Sequence, residues 1–366
     1  MTADMQRFVE ALRAFEKGEI VVVTDDDDRE NEGDLVLAAA HATPEKLAFI
    51  VRHTSGIVCT PVSRSIARRL QLAPMVADND APLGTAFTVS VDYKPGLTTG
   101  ISAEERCNTV RGIANPNAGA DDFVRPGHVF PLIAKEGGVL IRSGHTEAAV
   151  DLCKLANLPP VGVICELVND DGTVKRGADV TRFAVEHGLK LVSVADIIAW
   201  RQRSERLVER ADEFTVDTIA GPAKAIVYRT PFDPVQHPAL IFGDIGDGKN
   251  VTVRLHREMF FDDVFGARRA FMERTIQRVA QSRRGVIVYL REGAVGVAGE
   301  SRRARDELGD GHSSALRRQA EWREIGLGAQ ILKDLGVSSI VLLTTRSLRY
   351  VGLDGFGIRI ENVEAP

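Results

Sequence analysis

Short apolar runs that read as strands alternate with amphipathic helical stretches along all 366 residues, and this alternation restricts the fold more than any other feature. In the first half the strand-like runs are 20–24, 56–60, 86–92, 138–142 and 161–168. Helical patterns at 4–17, 44–54, 63–70, 103–114, 146–156, 179–187 and 194–203 separate them, the first with Phe8, Leu12 and Phe15 on one face and Gly18 as its stop. The segment RQRSERLVERAD at 201–212 is charged, with few apolar anchors, and a fresh strand series opens at Phe214. Strand patterns then fall at 213–218, 224–229, 250–256, 285–290, 339–344 and 357–361, with helices near 265–281 and 314–335 and a loop or lid at 293–313. Two α/β domains are expected, over 1–205 and 213–366, and the length agrees, since one core rarely serves so long a chain.

The 46 Lys plus Arg against 51 Asp plus Glu leave a net charge of −5, which gives no global attraction to nucleic acid or to a membrane surface. Any anion site must be local. The four cysteines, Cys59, Cys107, Cys153 and Cys165, all lie in the first half without a CxxC pair, so reduced thiols in a cytoplasmic protein fit better than disulfides. No signal-peptide core and no apolar run of about 20 residues is present, so a soluble protein without membrane contact is expected.

Four polar clusters interrupt the first half. TDDDDRENEGD at 24–34 carries seven carboxylates directly after the apolar run IVVV. Such a run reads either as a solvated acidic loop or as a divalent-cation site, where a hard cation offsets the repulsion among carboxylates. RPGHVFPL at 125–132 sets His128 among prolines and a glycine, which predicts a rigid turn aiming the imidazole outward. IRSGHTEAAVDL at 141–152 reads as strand, Gly144 turn, then helix, so free N–H groups of the first helical turn lie beside Arg142, Ser143, His145 and Thr146, as a phosphate cradle requires. VICELVNDDG at 163–172 ends an apolar strand on Glu166, a carboxylate that must be paired, buried at a cost, or used. Each cluster has an ordinary explanation in capping or ion pairing, but four at strand or turn ends of one domain are harder to dismiss together.

The first half resembles 3,4-dihydroxy-2-butanone 4-phosphate synthase through DDDDRENEGDLV, RHTSGIVC, GTAFTVSVD, TTGISAEER, RPGHVFPL, GGVLIRSGHTEA and GVICELVNDDGT, spanning residues 5–203. The resemblance implies a mixed sheet with helices packed around it, and a homodimer with sites near the subunit interface. It also implies magnesium-dependent conversion of ribulose 5-phosphate to 3,4-dihydroxy-2-butanone 4-phosphate and formate, with Mn²⁺ as the alternative ion. Carried over by motif, Glu30 and His145 are the metal ligands. Arg29, Glu30, Asp34, the run Arg142, Ser143, Gly144, His145 and Thr146, and Glu166 contact the substrate. His128, Glu166 and Asp34 serve the chemistry, and Cys59 matches a position close to the site.

Residues 213–366 are similar to GTP cyclohydrolase II through VTVRLHREMFFDDVFGARRAFM, IGLGAQILKDLGV and LLTTRSLRYVGLDGFGI. That family's zinc is held by three cysteines, and the matching positions here are Met259, Ala270 and Met272, with no cysteine after Cys165. A thioether and a methyl cannot replace zinc thiolates, so no zinc and no hydrolase activity are expected in this half. Ala294 replaces an expected arginine, Glu321 an expected aspartate and Arg349 an expected lysine, while Arg323 matches the family's catalytic arginine. The half is then either an anion-binding module using Arg254, Arg268, Arg269 and Arg323 or packing surface, and the second is the better reading.

Overall fold

The computed structural model describes residues 3–25, 30–266, 268–291, 326–344, 353 and 356–365. The chain divides into two compact units, Met1–Trp200 and Arg201–Pro366, and each is a mixed-sheet α/β domain.

The first unit is built on strands β1 (Val21–Thr24), β2 (Gly33–Ala38), β3 (Cys59–Val62), β4 (Val91–Tyr93), β5 (Phe123–Ile133), β6 (Gly162–Glu166) and β7 (Lys190–Ser193), in the order β4-β5-β3-β6-β2-β1-β7. The β1–β7 and β3–β5 pairs are parallel and the other neighbours antiparallel. Side chains alternate between two cores, as the pleat demands. Val22, Leu35, Leu37, Val163 and Cys165 face helices α2 (Pro44–His53), α3 (Arg64–Arg69), α4 (Ala103–Ala114) and α6 (Ala178–Glu186). Val21, Val23, Val36, Ala38 and Ile164 face α1 (Ala3–Glu16), α5 (His145–Leu155) and α7 (Val194–Ser204). Burial on both faces is why the β1 sequence is continuously apolar.

Two expectations for this unit need correction. The run 138–142 is not a strand but a short 3-10 turn at Gly138–Leu140. Gly137 and Gly138 take positive φ, the Asp151 carboxylate accepts the Val139 N–H at 2.8 Å, and a Cβ on Gly138 would lie 2.1 Å from an Asp151 oxygen, so the backbone is folded over that carboxylate. His128 lies within β5 rather than in a free-standing turn. Val91 pairs with Val129 but Asp92 pairs with Val124, so residues 125–128 leave the ladder as a bulge that carries the imidazole.

The second unit has strands β8 (Glu209–Thr218), β9 (Gly221–Thr230), β10 (Asp233–Gly243), β11 (Val251–Arg257), β12 (Arg284–Leu290), β13 (Ser339–Leu343) and β14 (Arg359–Glu364), in the order β14-β13-β11-β12-β10-β9-β8. An antiparallel meander of β8 to β10 joins a parallel portion through the β10–β12 pair. The helix expected over 265–281 is α9 (Arg269–Gln281), starting four residues later, with a separate short helix α8 (Phe260–Val264) before it, and helix is described over 326–334. The expected loop at 293–313 lies outside the described residues, as do Arg29, Ala294, Glu321, Arg323 and Arg349.

Candidate active site

The acidic run is the connection of the β1–β2 hairpin, whose ladder closes with Thr24 opposite Gly33 and Val23 opposite Asp34. Asp25, 7% exposed, accepts the Glu30 N–H on one oxygen at 3.0 Å and the Glu32 N–H on the other at 2.9 Å. One carboxylate therefore folds the far arm of the loop back toward the sheet, an Asx-type closure over a longer span than usual.

Asp34 stands directly opposite Glu166 in the β2–β6 ladder, so two carboxylates share one face of the sheet. Like charges in that relation repel. His145, the first residue of α5, approaches from the helix layer and puts Nδ1 3.8 Å from both Glu30 Oε2 and Asp34 Oδ1. Asp34 Oδ1 is buried and accepts no hydrogen bond among the described residues. Burial, followed by the charges of Glu166, Glu30, Asp25 and Glu32, pushes the Asp34 carboxyl well above the usual carboxylate range. Ligand atoms of Asp25, Glu30 and His145 lie within 4.8 Å of one another.

This donor set fits a hard divalent cation. Carboxylate oxygens with one imidazole suit Mg²⁺ or Mn²⁺, and a site with few protein ligands leaves positions for water and substrate. The buried oxygen of Asp34 beside the imidazole is the specific sign, since a group so placed wants a positive charge nearby. Both oxygens of Asp25 already accept backbone N–H groups, which makes it the brace of the loop and leaves Glu30 and His145 as the better ligands.

Around this centre, Ser55 donates its hydroxyl to Glu166 Oε2 at 2.8 Å and its N–H to the Glu166 carbonyl at 2.9 Å, fixing that carboxylate. The Cys59 thiol is pushed up by burial and by the neighbouring Glu166, Cys165 and Asp34, so it is a neutral packing group beside the carboxylates. Arg142 donates to Glu147 Oε2 at 2.7 Å, to Thr85 Oγ1 at 3.0 Å and to the Leu83 carbonyl at 3.3 Å. Glu147, 1% exposed, also accepts the Lys135 N–H, so it anchors Arg142 against the start of α5, where Ser143, Gly144 and Thr146 lie. His128 pairs with Asp92 instead of joining the carboxylates: Asp92 Oδ2 lies 2.7 Å from its Nδ1 and Asp92 Oδ1 accepts its N–H at 2.9 Å. Asp92 is buried while the imidazole is 41% exposed on its side chain, which holds Nδ1 inward and turns Nε2 outward.

Asp25, Ser55, Asp92 and Glu147 were not singled out by the sequence. An acid in the first turn of a helix marks Glu147, but the partners of Ser55 and Asp92 are set by strand pairing far along the chain.

In the second unit, the sulfur of Met259 receives a hydrogen bond from Arg268 Nη1 at 2.8 Å. Asp263 Oδ2 is shared by His256 Nε2 at 3.0 Å, Tyr289 Oη at 2.9 Å and the Met259 N–H at 2.9 Å. Arg254 donates to the Leu343 carbonyl at 2.9 Å and lies over the Phe271 ring, and Arg269 pairs with Glu273. These arginines are engaged within their own domain.

Residues 9–200 match the 3,4-dihydroxy-2-butanone 4-phosphate synthase family, and residues 209–365 match the GTP cyclohydrolase II family. The bifunctional riboflavin biosynthesis protein RIBA 1, chloroplastic, of Arabidopsis thaliana is 46% identical over 364 residues, 96% of this chain and 67% of that protein. Among solved structures, RibBX, a two-domain 3,4-dihydroxy-2-butanone 4-phosphate synthase from A. baumannii, is 38% identical with a TM-score of 0.84, covering 98% of this chain and 99% of that one. A 3,4-dihydroxy-2-butanone 4-phosphate synthase in complex with two magnesium ions is 45% identical with a TM-score of 0.53, covering 54% of this chain and 97% of that one. No described helix is long and apolar enough to cross a membrane.

Proposed function

The chain belongs to the 3,4-dihydroxy-2-butanone 4-phosphate synthase family, an enzyme of riboflavin biosynthesis, and from this premise we propose how its residues carry out the reaction. Ribulose 5-phosphate is divided into 3,4-dihydroxy-2-butanone 4-phosphate and formate without oxidant or reductant, so the protein must move protons and stabilise charge. Glu30 and His145 would hold a Mg²⁺ ion, or Mn²⁺ in its place, and the ion would supply Lewis acidity at the ketone oxygen, easing loss of the C1 proton.

The chain's own groups do the rest. Asp34, whose carboxyl holds its proton more tightly under burial and beside Glu166, is placed to give a proton where a hydroxyl leaves. Glu166, held by Ser55, and His128, held by Asp92, are the further acid and base. Arg29, Arg142, Ser143, Gly144 and Thr146 with the start of α5 bind the phosphate end and keep the carbon chain in register. The observation that carries this reading is the pair of 3.8 Å approaches of Glu30 and Asp34 to the His145 imidazole. The synthase domain is assigned to 1–205, and the protein acts as a cytoplasmic homodimer.

The second domain, assigned to 213–366, is inactive as a hydrolase. The alternatives are a non-enzymatic sugar-phosphate binding protein, which the presence of Glu30, His145 and Glu166 disfavours, and a bifunctional enzyme, favoured by the name of the Arabidopsis relative. Against it stand Met259, Ala270 and Met272 at the thiolate positions and the absence of any cysteine after Cys165. Incubation with ribulose 5-phosphate and Mg²⁺, followed by NMR, should show formate and the four-carbon ketone phosphate, and their absence refutes the synthase mechanism. GTP should give no formate, and purified protein should hold no stoichiometric zinc. Either one, if found, restores the bifunctional reading.

A further inference from the structure

Arg106 lies on the first turns of α4 and is 6% exposed, yet no carboxylate within 4.0 Å pairs with it among the described residues. Its Nη1 donates to the Gly56 carbonyl at 3.2 Å, and its buried Nε donates to no group among the described residues. Burial weighs against the guanidinium charge, and Asp92 partly supports it. Asp92 has given an oxygen each to the N–H and the imidazole of His128, so it is not available as a full counter-ion. A buried cation in this condition is costly, and a structure carries such a cost more readily where an anion arrives to complete it.

Its neighbours say where that anion would be. Gly56 follows Ser55, which fixes Glu166; Cys165 precedes Glu166; and Asp92 fixes His128. The guanidinium therefore reaches a carbonyl one residue from the serine that holds Glu166, with Asp92 of the His128 pair as a charged neighbour. Glu105, adjacent in sequence, is not its partner, since that carboxylate accepts from the Thr98 N–H, the Thr98 hydroxyl and the Ser102 hydroxyl.

We propose that Arg106 is a substrate-binding residue whose counter-ion is an oxyanion of the reacting molecule. The chemistry is shared by two sources: the phosphoryl group of the sugar phosphate and the carboxylate of the departing formate. Guanidinium suits both through its planar fork. The inference rests on the synthase mechanism above.

The test uses the full chain with Arg106→Gln and Arg106→Lys. KM and kcat for ribulose 5-phosphate are measured with inhibition by inorganic phosphate and by formate, and phosphate binding is titrated calorimetrically without turnover. Arg106→Gln should raise KM about tenfold or more, with Arg106→Lys recovering part of the loss through its point charge. Parallel weakening of phosphate binding assigns the phosphoryl group; weakening of formate inhibition alone assigns the leaving carboxylate. Unchanged KM, phosphate binding and formate inhibition in a variant that melts as the parent does would overturn the proposal, as would a fall in melting temperature with those constants intact. If the glutamine variant fails to fold, the lysine variant carries the same comparison. A parent that makes no formate from ribulose 5-phosphate refutes the synthase mechanism, and the calorimetric arm still decides Arg106.

Discussion

Asp34→Asn should stabilise the ion-free protein while abolishing its activity. In the β2–β6 ladder Asp34 and Glu166 are direct partners, and residues in that relation have Cβ atoms roughly 5 Å apart. At an effective dielectric constant of about 20, two charges at such a distance repel by roughly 3 kcal/mol. An amide removes the repulsion but still asks for buried hydrogen bonds, at a cost of about 1 kcal/mol, so a net gain of ~1–3 kcal/mol is expected. For a domain of this size that corresponds to a rise of roughly 2–12 °C in melting temperature.

The pH dependence has a definite sign. Asp34 binds its proton more tightly folded than unfolded, so its contribution favours folding at low pH and is lost as pH rises from the ordinary carboxylate range through the raised value. The advantage of the asparagine variant should therefore be small at acidic pH and grow toward neutrality. Thermal melts of both proteins in chelator across that range, repeated with Mg²⁺, provide the assay. The ion should stabilise the parent more than the variant. A variant less stable than the parent at neutral pH in chelator would refute the like-charge argument.

Glu30→Gln and His145→Ala should each lower formate release by a factor of about 100 or more and remove the rise in melting temperature that Mg²⁺ gives the parent, as expected for lost ligands. Full activity in either would refute the ligand assignment. Gly100→Ala should depress kcat with less effect on KM, because the new Cβ would lie 2.2 Å from Asp92 Oδ2 and 2.6 Å from His128 Nδ1. Its φ of 86° is a second cost: a side chain in that left-handed backbone adds about 1–2 kcal/mol of strain, read as a lower melting temperature. Parent-like kinetics would show that the Asp92–His128 pair is not needed.

Much of the first domain was legible because its buried strands and amphipathic helices carry their periods openly. The α4 boundaries Ala103–Ala114 coincide with the helical pattern read there, and the acidic run does sit at a strand end. The β2 strand, Gly33–Ala38, was missed because it follows the acidic run without an intervening turn signal, and the run itself dominated the reading. β10 was missed because Pro234 and Pro238 argue against a strand in isolation, although both its neighbours pair with it. At the site, Glu30 and His145 were proposed through the resemblance of their motifs, while the opposition of Asp34 to Glu166 is a property of register. So is the bulge that hands His128 to Asp92. No local pattern in one sequence encodes which residue of a distant strand will be the partner.

The closure of the hairpin by Asp25 makes the sheet indifferent to what happens in the tip and intolerant of changes at its base. Adding a residue between Glu32 and Gly33 leaves β2 free to keep its pairing, whereas adding one between Asp34 and Leu35 would slide the acid to the opposite face of the sheet, among the hydrocarbon side chains of α2 and α6. Length variation in this protein's acidic loop should thus be found on one side of Gly33 only.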